Sequence, residues 1–163
     1  MLILDRLTHC LVTSVKYITF ALLAALVVII FVQVVFRYVL DSSLSWSEEL
    51  ARFMFIWIVM LGASTGVKER YHVAITAFIS WLPSVPCRVI WFFVESVCFC
   101  VAVCMLLYGM EMAGNVISQP SPAMRVSMFW VYVSVPVSGG LMVIYLAESL
   151  LKAMLGCDAL KEV

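Results

Sequence analysis

Charge is what this sequence has least of. Only 12% of its 163 residues are Asp, Glu, Lys or Arg, against a 65% hydrophobic share and a mean hydropathy of +1.12. A soluble domain carries about twice that charge. Histidine is nearly absent too. His9 and His72 are the only two, and both lie outside the apolar runs, so haem held by paired histidines across a helical bundle is excluded by count. Six cysteines occur, Cys10, Cys87, Cys98, Cys100, Cys104 and Cys157, with no C-x-x-C among them, which argues against a thiol-exchange centre. Gly-rich phosphate loops, metal-ligand clusters, catalytic triads, repeats and a soluble domain are all missing. With them go the usual signs of an enzyme or a nucleic-acid binder, and no cofactor is expected.

What is present is apolar length. Twenty uncharged residues separate Lys16 from Arg37, enough for ~30 Å of helix and one bilayer crossing. Phe53–Val67 is uncharged, Val89–Met110 is interrupted only by Glu95, and Val126–Ala147 is uncharged. The chain therefore reads as an all-α integral membrane protein, a single domain over 1–163. Four transmembrane helices are expected at about 17–38, 46–67, 87–110 and 126–148, after an amphipathic lead-in over 1–16. The first run is too long for a secretory signal and reads as a retained span. Residues 73–82 end at Pro83 and Pro86, too short to cross, and fit a short interfacial helix anchored by Trp81 between the second and third spans. Seven basic residues (Arg6, Lys16, Lys68, Arg70, Arg88, Lys152 and Lys161) would lie on the side of the termini, and three (Arg37, Arg52 and Arg125) on the other. That bias predicts cytoplasmic N- and C-termini.

The densest polar cluster sits at the opposite border. Arg37-Tyr38 closes the first span, Asp41-Ser42-Ser43 makes a turn, and Trp46, Glu48, Glu49 and Arg52 open the second. Ser45 and Glu48 have the spacing of a capping box, and Glu48 and Arg52 that of a favourable i, i+4 pair. Glu49 shares a helix stripe with Trp46, Phe53 and Trp57, the stripe expected to pack inward. A carboxylate there needs a cation, and Arg37 is the nearest candidate. The cluster either fixes the hairpin or meets a partner; no nucleophile or metal ligand accompanies it. Gly62 and Gly66 form a G-x-x-x-G suited to close helix packing, and Pro136 with Gly139-Gly140 predicts a kink or a close contact in the last span. Glu95, the one acid inside a span, is either a shallow paired residue beside Arg88 or an ion or proton site. On the second reading the chain would be a self-sufficient proton-coupled exporter. Trp46, Trp81, Trp91 and Trp130 sit at expected borders as anchors in the membrane lipid.

Taken in order, Arg37-Tyr38, Trp46-x-Glu48-Glu49-x-x-Arg52, Trp57, Leu61-Gly62-Ala63, Arg70-x-His72, Trp130-x-Tyr132, Pro136, Gly139-Gly140 and Glu148 resemble the DctQ-type small membrane subunit of TRAP (tripartite ATP-independent periplasmic) transporters. Members often carry an acid soon after the histidine; here His72 is followed by Val73-Ala74-Ile75-Thr76. The resemblance implies a bacterial or archaeal inner-membrane assembly in which a periplasmic solute-binding protein captures an organic acid, often a dicarboxylate or sialic acid. A large multi-span membrane subunit then imports it on a sodium gradient. The small subunit would brace the large one and help dock the binding protein, with no substrate site of its own.

Overall fold

The computed structural model describes residues 2–42, 44–69 and 84–154, and the side chains of 6–42, 44–69 and 92–151. Helix α1 is Leu2–Val39, α2 Ser45–Lys68, α3 Ser84–Asn115, α4 Phe129–Tyr132 and α5 Ser134–Met154. Four helical stretches are long and apolar enough to cross a membrane: Arg6–Val39, Ser45–Lys68, Phe92–Asn115 and Phe129–Leu151. The fold class expected from the apolar blocks is therefore the observed one. The interfacial segment, with Arg70, His72 and Trp81, lies outside the described residues.

Where the boundaries differ, the cause is local. The lead-in does not form a separate element: α1 is one helix of 38 residues, ~57 Å at 1.5 Å per residue, because no Gly or Pro occurs before residue 62 to interrupt it. It ends where Asp41 adopts φ 45° and the Ser42 N–H reaches back 3.1 Å to the Phe36 carbonyl, a left-handed closure that asparagine and aspartate tolerate. Helix α3 starts earlier than expected because Pro86 falls in its first turn, where a missing N–H leaves no bond unmade. The last span breaks at Val133, between α4 and α5. Pro136 brings no N–H to the Tyr132 carbonyl four residues back, and its ring crowds that carbonyl.

In space the long helices form an open row: α1 packs on α2, α2 on α5, and α5 on α3. Helix α5 is the centre. Met142 and Leu146 close on Ala102 of α3, flanked by Val67, Cys98, Phe99, Met105 and Val143. Two glycines let α3 and α5 approach. A Cβ on Gly139 would lie 2.9 Å from the Leu106 nitrogen and 3.1 Å from the Ala102 oxygen, and one on Gly109 2.9 Å from Pro136 Cδ. The close contact expected from Pro136 and Gly139 is thus made, with Gly109 as an unforeseen counterpart. Gly140 meets only Leu106 Cδ1, at 3.7 Å. The row leaves much of its apolar surface uncovered, including Tyr17, Phe20 and Phe31 on α1.

Candidate functional site

The border cluster is built from the start of α2 and the connection 116–128. Ser121 organises that connection. Its N–H donates to the Val126 carbonyl (2.8 Å), its carbonyl accepts from Arg125 N–H (3.2 Å), and its hydroxyl accepts from Val126 N–H (3.3 Å). Arg125 turns the chain at φ 55°, and Pro120 and Ser127 form an antiparallel bridge. This tight turn aims two backbone N–H groups at one point. Ala123 and Met124 both donate to Glu49 Oε2, at 3.0 and 2.7 Å, with the Ser121 side chain beside them. Converging N–H groups make an anion nest, and here a carboxylate of the chain itself occupies it. Eight residues on, Trp57 Nε1 donates to the Trp130 carbonyl at 2.9 Å, a second tie between α2 and the last span.

Three expectations about this cluster need correction. Glu49 is buried as anticipated, but Arg37 is not its partner: Arg37 is exposed, and among the described residues the two form no ion pair. Backbone amides supply the neutralising dipoles instead. The capping box does not form either. The N-cap is Leu44, with no side-chain cap bond, and it is Ser47 whose hydroxyl returns to the Leu44 carbonyl at 2.7 Å. Nor do Glu48 and Arg52 pair; both are exposed. They stand instead at the mouth of a cleft of about 500 Å³ between the first turns of α2 and α4–α5, walled by Phe53, Ile56, Met128, Val131, Tyr132 and Val135. Tyr38, Trp46 and Trp130 are exposed around this end.

The far end of the row holds a second polar group. Lys16 of α1 pairs with Glu69, and Lys68 with Glu148 of α5. Glu148 is only 2% exposed and lines a cavity of about 40 Å³ with Lys68, Glu95, Ser149 and Tyr145. That space admits a water or a bare ion and nothing larger. The Lys68–Glu148 pair escaped sequence reading. Its signal was topological: alternate crossings bring the C-terminal ends of the second and fourth spans to one side, and each ends in a charge of opposite sign. Replacing Lys68 by Met is expected to cost about 2 kcal/mol. Glu148→Gln in the same background should recover part of it, as read from the thermal midpoints of the double-mutant cycle. Equal midpoints for wild type and Lys68→Met would show the pair to be solvent-screened.

At Gly62 and Gly66, expected at a close contact, an added Cβ would meet nothing within 4 Å outside its own stretch of helix, among the described residues. All four described cysteines, Cys10, Cys98, Cys100 and Cys104, are free.

An open row of membrane-crossing helices, locked at both ends by polar ties, defines a multi-pass membrane component. Residues 26–156 match the family described as "Tripartite ATP-independent periplasmic transporters, DctQ component". The chain is 30% identical over 147 residues to the sialic acid TRAP transporter small permease protein SiaQ of Vibrio cholerae, covering 88% of this chain and 85% of that protein. It is 34% identical over 77 residues to a TRAP transporter small permease protein of Haemophilus influenzae. That match spans 47% of this chain and about half (48%) of the relative. It is also 30% identical over 150 residues to the isethionate TRAP transporter permease protein DctMQ of Oleidesulfovibrio alaskensis, covering 85% of this chain but only 24% of that protein. The chain belongs to the DctQ component family of TRAP transporters. It is a transport subunit of the bacterial inner membrane, not an enzyme.

Proposed function

We propose that the chain is the scaffold subunit of a sodium-driven, binding-protein-dependent importer of organic acids, of the dicarboxylate or sialic-acid type. Its partners are a large multi-span membrane subunit and a periplasmic solute-binding protein. The termini lie in the cytoplasm, and the Glu49 end faces outward, where its loop helps dock the binding protein.

The observation that carries this reading is the unfinished packing of the row. Among the described residues a Cβ on Gly62 or Gly66 would find open space, and α1 exposes a run of large apolar side chains. Small residues on an apolar helix are useful where a second backbone comes close. The isethionate relative points the same way, since a segment like this chain forms about a quarter of a longer permease. Similar identity to relatives named for sialic acid and for isethionate supports placing substrate choice in other subunits. The cavity beside Glu95, about 40 Å³, has room for a water or a bare ion but not for an organic substrate.

The test is co-expression with a large multi-span TRAP permease subunit. A Gly62→Leu/Gly66→Leu double variant should retain its helical fold while recovering at least about tenfold less permease, a difference of ~1.4 kcal/mol in association. Sodium-dependent uptake into proteoliposomes should fall with it. Undiminished recovery and uptake would remove the scaffold assignment.

A further inference from the structure

Glu48 and Arg52 lie one turn apart on α2, both exposed, and neither forms an ion pair among the described residues. They sit in the opening turns of a helix long and apolar enough to cross a membrane, just before its uncharged stretch begins at Phe53. Arg52 acts electrostatically on Glu49, whose Oε2 is already held by the Ala123 and Met124 amides, and Glu48 adds a further negative charge one turn away. With them, Phe53, Ile56, Met128, Val131, Tyr132 and Val135 line a cleft of about 500 Å³, and all six but Met128 lie within the membrane-length helical stretches. Charged groups of both signs above and an apolar trough below match the order of groups along a zwitterionic phospholipid.

We infer that this cleft is a binding site for a phosphatidylethanolamine. The Arg52 guanidinium takes the phosphate, the Glu48 carboxylate takes the primary ammonium, and the start of one acyl chain lies along Phe53, Ile56 and Val131. Charge decides the headgroup. The only cation among the described lining residues, Arg52, is accompanied by two carboxylates, Glu48 and Glu49, and the second is already committed to the Ala123 and Met124 amides. An anionic phosphatidylglycerol would bring negative charge to an acidic mouth with no ammonium to offset it. A phosphatidylcholine would offer a quaternary ammonium without N–H donors for Glu48. The bound lipid would rest against the same α2 turn that carries the Glu49 latch, filling the groove between α2 and α5.

The purified full-length chain, stripped of lipid in detergent, is titrated separately with phosphatidylethanolamine, phosphatidylglycerol and phosphatidylcholine and examined by native mass spectrometry. One phosphatidylethanolamine per chain should bind about tenfold more tightly than either other lipid. Arg52→Gln should weaken it about tenfold, Glu48→Gln should erase the headgroup preference, and Ile56→Trp, which fills the trough, should abolish the tight site. Each variant is first checked for wild-type helix content, and Phe20→Leu on the bare face of α1 should change nothing. Equal binding of the three lipids, or indifference of the Arg52, Glu48 and Ile56 variants, would overturn the site. In native membranes, a photoreactive residue in place of Met128 should label lipid; labelling a protein helix there would overturn it as well.

Discussion

Gly139→Leu should separate α3 from α5 and lower the stability of the isolated chain by at least about 3 kcal/mol. The added Cβ alone would stand 2.9 Å from a backbone nitrogen and 3.1 Å from a backbone oxygen of α3, and also 3.1 Å from Met105 Cβ. Backbone atoms inside a helix cannot step aside as a side-chain tip can, so the helices must move apart and Ala102, Met142 and Leu146 lose their closure. Gly139→Ala should produce a smaller loss of about 1–3 kcal/mol. The same substitution at Gly62 or Gly66 should go the other way in the isolated chain. A Cβ at either would enter open space among the described residues, and replacing an unconstrained helical glycine by alanine gains up to ~1 kcal/mol of helix propensity. Thermal unfolding in detergent, followed by circular dichroism, separates the two classes by sign. A destabilised Gly62→Ala or a tolerated Gly139→Leu would contradict the arrangement of the row.

Glu49→Ala should release the 119–128 connection from α2. The carboxylate is the acceptor on which the Ala123 and Met124 amides converge, and the Ser121 turn is shaped around it. Without it, two donors turn to water and the buried end of α2 is left without its charge-matched partner. A fall of roughly 5–10 °C in thermal midpoint is expected for a chain of this size, with new protease cleavage between residues 119 and 128. Glu49→Gln keeps one acceptor oxygen and should show about half the effect. Arg37→Ala should leave the midpoint within about 1–2 °C, because Arg37 is exposed and forms no ion pair with Glu49 among the described residues. A large effect of Arg37→Ala with none from Glu49→Ala would restore the pairing that residue charges alone suggest.

The contrast between those two variants shows where reading a sequence stops. Its residue letters declare side-chain charges, so Glu49 was assigned to the nearest arginine. The groups that hold it are main-chain amides, which every residue except proline carries and which no letter marks as special. Only the left-handed turn at Arg125 and the bonds of Ser121 aim them at one oxygen. The glycines differ for a similar reason. Spacing identified Gly62 and Gly66 as a packing face, yet spacing does not say whether the neighbour belongs to this chain. Gly109, which has no glycine partner at the motif spacing, is the one pressed against Pro136. Lys68 and Glu148 stand 80 positions apart and become a pair only because α2 and α5 run side by side.

The sequence by itself determined that this chain is all-helical with four segments long and apolar enough to cross a membrane. Those properties follow from the cost of placing charge in hydrocarbon, a cost that acts on each segment separately. Tertiary structure decided the order of helices in the row, the partners of Glu49 and Glu148, and which glycines are used within the chain. Each of these depends on a distance between segments far apart in sequence, and local composition carries no such distance.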